Sequence, residues 1–388
     1  MSPSRFCLLL AILAASAWVL PEDAPQPTGR RLRTIVAEKF PGGNVFIGAA
    51  AHGASLQRKS ALRQVLAREF SYVTPANDFK QQYILPTPES AWKWDLTDWW
   101  LKETAQSGQV ARIHGPISPQ WSKWAMEDSR TAEELRPMMV KFLTETSRRW
   151  NAVPHILWMD VVNEILDEDG QWFGPKPGAD NWENPWPLLG EEAGPHGVLF
   201  PVYIKEAFVI AQKEAPRLKK IINEHALTPA ACAKMKAVVH WLRGQGLKVD
   251  GVGWQAHLET GWERGGGRME LLDDYIAWAH EEKLEFHITE FQAGILSKKE
   301  KPNKWNKNPA PVSPEERLSR QGPQADTFEA ILRALLAHRH TGVVAMNYWH
   351  LTDAECQDKD GNMFEEDLTP KPAYYRVQAL LEKPPMTK

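Results

Sequence analysis

Cysteine is scarce: three residues in 388, at Cys7, Cys232 and Cys356. That excludes a disulfide-built scaffold, and Cys232 and Cys356 read as free thiols. Charge imbalance is also missing. A formal net charge of −3 gives no electrostatic footprint for nucleic acid or an anionic membrane, and neither is expected as a partner. Beyond residue 20 no apolar run is long enough to span a bilayer. There is no internal repeat, no linker that would split the chain, and no close His-x-His spacing of the kind that holds a metal; no metal and no cofactor are expected. What is abundant is tryptophan, with 18 residues. Indole supplies core area, and it also stacks against flat apolar faces such as those of sugar rings.

The N-terminus has the pattern of an export signal. Arg5 precedes the apolar run Phe6 to Ala15, and Ala15-Ser16-Ala17 has the small-x-small form of a cleavage site. Residues 1–17 are therefore expected to be a signal peptide and the protein to be secreted. A polar, proline-bearing segment over 18–43 follows, then one catalytic domain over 44–385.

Short β-branched or aromatic runs alternate with helical periodicity along the rest of the chain, the signature of βα units on a parallel sheet. The strands are expected at Val45–Ala49, Phe70–Thr74, Val110–His114, Ile156–Asn163, Lys220–Asn223, Val249–His257, Leu284–Glu290 and Val343–Trp349. Eight strands with helices between them point to a single closed (β/α)8 TIM barrel. Thr131 with Glu134 forms a capping box before one helix, and Ser313-Pro314-Glu315-Glu316 places a cap, a first-turn proline and a reciprocal glutamate before another. The loops after strands 4 and 7 are enlarged. The first, about 165–200, carries Trp172, Phe173, Trp182 and Trp186 and is either a small core of its own or a wall of the substrate cleft. The second, 293–312, is lysine- and asparagine-rich and reads as solvated surface.

The polar residues are placed unusually. The strands end in His52, Asn77 and Lys80, His114, Asn163-Glu164, Asn223-Glu224, Gln255 and His257, Glu290, and Trp349-His350. So many polar groups converging on one rim need partners or a ligand. Two are carboxylates on opposed strands, Glu164 and Glu290. Such a pair suits glycosidic bond cleavage, one acid protonating the departing oxygen and the other meeting the anomeric carbon; a gap of roughly 5–5.5 Å gives the retaining course. Mutual repulsion is expected to raise one carboxyl, which then serves as the acid.

These segments resemble glycoside hydrolase family 10, the endo-β-1,4-xylanase family, over about residues 44–380. Asp160-Val161-Val162-Asn163-Glu164 is similar to the acid/base strand and Ile288-Thr289-Glu290 to the nucleophile strand. Asp250 to His257, Ile222-Asn223-Glu224, Thr74 to Lys80 and Pro370 to Tyr374 match further ordered motifs. The resemblance implies a polysaccharide substrate and a monomer. Glu164 would be general acid/base and Glu290 nucleophile. Asn163 would contact the sugar 2-hydroxyl, His257 would hold the nucleophile, and Gln255 would reach toward the acid/base. Asn77, Lys80 and His114 would touch glycone-side sugars, and Trp349 would floor the cleavage site.

The chain departs from the family pattern at Ala76, where a glutamate is usual, and at Gln81, Ser118 and Pro119. Gln292 replaces an aspartate, so His257 loses a negative partner. Reaction type is thus firmer than substrate. The alternatives are a related barrel β-glycosidase on a non-xylan β-glycan, and a weakly active glycan-binding barrel.

Overall fold

The computed structural model describes residues 25–386, apart from 120, 179–182, 298, 302–306 and 356–359. The expected signal peptide, Trp182 and Cys356 lie outside the described residues; Cys232 is a buried free thiol. Eight parallel strands close into a barrel: β1 Val45–Ala50, β2 Tyr72–Thr74, β3 Val110–Ile113, β4 Ile156–Asn163, β5 Lys219–Glu224, β6 Gly251–Trp254, β7 Glu285–Gly294 and β8 Val344–Tyr348. Each pairs with the next, and β1 and β7 both pair with β8, for example Val45 with Val344 and Phe286 with Val344. The (β/α)8 TIM barrel read from the sequence is therefore the fold.

Strands such as Ile156-Leu157-Trp158-Met159 are apolar along their length because the barrel buries both faces. The outer helices turn one stripe inward. In Ala132–Asn151 the buried positions Leu135, Met138, Met139, Phe142, Leu143 and Trp150 recur at three- and four-residue steps. Its predicted capping box is present: the Thr131 N–H donates to Glu134 Oε2 at 3.0 Å, and the Thr131 side chain takes the Glu134 N–H. Ser313 Oγ likewise accepts from the Glu316 N–H at 3.1 Å, but the Glu316 carboxylate is taken by Arg320 rather than reaching back to the cap.

Some expectations change. The sixth strand stops at Trp254, not His257, because Ala256 adopts a left-handed φ of 60°. The chain resumes as the short strand His257–Glu259 alongside the extension of β7, with His257 opposite Gln292. The stretch 18–43 is not polar throughout its described part: Leu32–Lys39 is a helix that buries Leu32, Ile35 and Val36 and packs against the C-terminal helix Pro372–Glu382. The loop after β7 is not wholly surface, since Ala293 and Gly294 belong to the strand and Ile295 and Leu296 are buried. Among the described residues no helix is long and apolar enough to cross a membrane.

Lys371, from the closing Pro-Lys-Pro-Ala-Tyr segment, is a structural residue. It is almost fully buried, and its ammonium meets Asp353 Oδ2 at 2.9 Å and the Asp360 carbonyl at 3.2 Å, tying down the loop after β8. Burial raises the Asp353 carboxyl above its ordinary range, against the pull of Lys371. Lys371→Met is expected to cost about 3–5 kcal/mol near neutral pH, the usual consequence of stranding one buried charge. With the ammonium gone, Asp353 must take a proton to stay buried. Its folded-state pKa then lies further above the unfolded value, so the loss should grow as pH rises. Urea unfolding of both proteins at pH 5 and pH 8 measures this; a smaller deficit at pH 8 would contradict it.

Candidate active site

The C-terminal ends of the strands surround a cleft of about 1070 Å³. Of the nine residues singled out from the sequence, eight line it: Asn77, Lys80, His114, Glu164, Gln255, His257, Glu290 and Trp349. The ninth, Asn163, sits just behind the wall and is 1% exposed.

Glu164 follows β4 with a left-handed φ of 53°, unusual for a residue with a side chain and costing about 1–2 kcal/mol. Its N–H donates to the Asn223 carbonyl at 2.9 Å, so the neighbouring strand fixes the turn that presents its carboxylate. Gln255 donates to Glu164 Oε1 at 2.8 Å and leans toward Asn163 Oδ1 at 3.4 Å. Asn163 Oδ1 also accepts from Asn223 Nδ2 at 2.7 Å, and the same nitrogen donates to Glu290 Oε1 at 3.0 Å. Side-chain amides therefore join the two carboxylates from end to end. Thr289 sets the Asn223 amide by donating to its Oδ1 at 2.7 Å, and β6 leaves room at Gly253, where a Cβ would collide with Asn223.

Glu290 is held differently. His257 Nε2 lies 3.2 Å from its Oε2, and His114 Nδ1 lies 3.6 Å from its Oε1. Behind His114, Asp160 pairs with the fully buried Arg112 and lies 3.1 Å from His114 Nδ1. Burial alone would push Glu290 up, but His114, His257 and Arg112 outweigh it and hold the carboxyl far below its usual range.

The expectation that Glu164 rises is corrected. Burial and the charge of Glu290 do push it up, but the Lys80 ammonium and the Gln255 hydrogen bond prevail, and Glu164 lies below its ordinary value. Lys80, itself only 3% exposed, is lowered by burial while Glu164, Glu290 and Asp160 oppose that shift.

The aromatic loop after β4 does not wall the cleft in its described part. Trp186 packs edge-on to Trp121 at 4.5 Å, Phe173 is buried, and Trp172 leans on Phe200 at 5.8 Å; from this loop only Glu168 lines the cleft. Nor do they form a core of their own: Trp186 and Phe200 belong to the main hydrophobic core, and Trp172 packs against it. Asn223 was visible as a strand-end amide, but its link between Asn163 and Glu290 was not. Trp254, at the end of β6 within the Asp250–His257 motif, also lines the cleft, as do His225, Trp262 and Arg268, which carried no sequence signal beyond following β5 and β6. Among the described residues no group of three or more His, Cys, Asp or Glu side chains is arranged to hold a metal.

With the geometry in hand, comparison with known proteins defines the class. The family model described as glycosyl hydrolase family 10 matches residues 34–380. A β-1,4-xylanase of Dictyoglomus thermophilum is 24% identical over 96% of this chain and 97% of its own length. An endo-1,4-β-xylanase 3 of Hypocrea jecorina is 24% identical over 88% and 83%. In solved structures the same fold recurs. Xylanase 10B of Thermotoga petrophila, in complex with xylobiose, superposes with a TM-score of 0.73 at 21% identity, covering 92% of this chain and 99% of that one. A Penicillium canescens endo-1,4-β-xylanase gives 0.74 at 20%, covering 92% and 99%. The protein is a glycoside hydrolase. It belongs to glycosyl hydrolase family 10.

Proposed function

We propose that this protein hydrolyses β-1,4-linked xylan with retention of configuration, Glu290 acting as nucleophile and Glu164 as general acid and then base. The observation that carries this reading is the pair of carboxylates facing one cleft from the end of β4 and from β7, joined by side-chain amides, Glu164 taking a hydrogen bond from Gln255 and Glu290 from Asn223 and His257. Glu290, ionised and clamped by Asn223 and His257, is suited to attack the anomeric carbon. As that bond forms, the bond to the leaving oxygen breaks and Glu164 delivers its proton there. Glu164 then removes a proton from water, whose oxygen attacks the same carbon and frees Glu290.

Glu164 must be protonated for the first step. A bound sugar displaces water from the cleft, which adds weight to the burial that already pushes this carboxyl up. Asn163 supports the sugar contact: its amide Nδ2 is buried with no partner among the described residues, a donor in want of a hydroxyl. Lys80, Asn77 and His114 would contact the glycone sugar, with Trp349 beneath it. Reading xylan as the substrate rests on the relatives, the other β-1,4 glycans being outcomes of the test. Product analysis on xylan, mixed-linkage glucan and mannan, with proton NMR of the first-formed anomer, tests both parts. Initial release of the α-anomer from a β-linked substrate would remove the retaining course. Turnover confined to glucan or mannan would remove xylan.

Lys80 supplies a pH test. It lowers Glu164, so Lys80→Met should raise that carboxyl and keep the acid protonated to higher pH. The alkaline limb of kcat/KM should move upward even as the rate falls. A downward or absent shift would show that Lys80 does not set the ionisation of Glu164.

A further inference from the structure

The cleft is lopsided. On one side of the catalytic pair its wall continues from Glu164 past His225 to Trp254, Trp262 and Arg268, the loops after β5 and β6. Trp262 packs on Trp254 at 5.3 Å, and the Arg268 guanidinium lies over its ring at 5.6 Å while donating to its carbonyl at 3.2 Å. That side is a built surface. On the other side, among the described residues, the cleft is lined by Asn77, Lys80, His114 and Trp349 before the fold closes.

The closure has identifiable causes. Gln81, next to Lys80, is fully buried with its amide spent internally, its Oε1 accepting from the Ser122 N–H at 2.9 Å and its Nε2 donating to the Leu85 carbonyl. Ala76 is 1% exposed and packs with Ala50 and Trp349. His350 is buried against His52 with ring centroids 4.8 Å apart. Among these, Gln81 and Ala76 offer no hydroxyl partner to a second sugar, and His350 is only 3% exposed.

The acid marks which side is which. A general acid must reach the oxygen that joins the departing part of the substrate, so the long wall running on from Glu164 is the leaving-group side. We propose that the protein grips its substrate chiefly by the part that leaves. One sugar sits between Lys80, His114 and Trp349, and several leaving-group sugars lie along the wall from His225 to Arg268. This rests on Glu164 being the acid and deepens the xylan reading without depending on the sugar's identity.

Cleavage of β-1,4-xylopentaose labelled with 18O at its reducing end, followed by mass spectrometry, tests it. The leading labelled product should be xylotetraose, one sugar having been cut from the other end; any shorter labelled fragment in the lead overturns the proposal. Trp262→Ala and Arg268→Ala should each raise KM for the pentaose by about three- to tenfold. The penalty should shrink on xylobiose, whose leaving group is a single sugar. Equal penalties on both substrates, as general damage to the fold would give, overturn it. If only β-1,4-gluco- or mannopentaose is cut, the xylan assignment falls, and the cut position in that labelled substrate decides this proposal in the same way. Turnover of none of the three sinks both.

Discussion

Glu290→Ala is expected to lose turnover by roughly 10⁵-fold or more on any natural β-glycan, the scale seen when a covalent nucleophile is removed. The structure says why no neighbour should substitute. His114, His257 and Asn223 all direct polar groups at this one carboxylate. All three are arranged around a negative charge, and none is a carboxylate placed at the anomeric carbon. Removing the side chain also takes one of its two acceptors from Asn223 Nδ2 and the carboxylate partner from His257 Nε2. The check is kcat on xylan, alongside far-UV circular dichroism to show that the barrel is intact. A mechanism-based inhibitor should esterify Glu290 in the parent protein and nothing in the variant. A folded variant with parental kcat would remove Glu290 from the reaction.

Glu164→Gln should be selective in its damage. Truncating a general acid costs roughly 10²–10⁴-fold where the leaving oxygen needs a proton. Xylan and xylo-oligosaccharides should show that full loss in kcat/KM. Aryl xylosides with an acidic phenol leave unaided, so their first step should be nearly spared. Their slow step becomes hydrolysis of the glycosyl-enzyme, and a burst of phenol should appear. Equal losses on both substrate types would argue against the acid role. Glutamine keeps the side-chain volume and an oxygen for Gln255 to donate to, so the change falls on the proton rather than on packing.

The barrel was legible because its strands are buried on both faces and its helices on one, so hydrophobic period and run length carried the fold. Ile156–Asn163 lies where the sequence placed it. The errors fall where backbone geometry overrides composition. Val249 to His257 reads as one strand, yet the left-handed turn at Ala256 breaks it. Leu32–Lys39 was hidden by charged neighbours and becomes a helix because the C-terminal helix offers its apolar residues a partner. At the site, strand-end position located the residues but not their connections. That Asn223 spans from Asn163 to Glu290 depends on the register of three strands. The ionisation of Glu164 turned on Lys80, which lies 84 positions earlier in the chain and belongs to the loop after β2.

The packing of Ala76 also bears on how the cleft could be lengthened. With a φ of 33° and its side chain 1% exposed and packed with Ala50 and Trp349, the position is turned into the fold. A glutamate there would have to fit against Ala50 and Trp349, and Gln81 would still be bound up inside the fold. Reach on that side is therefore set by several packed positions together, and changing one of them alone does not reopen it.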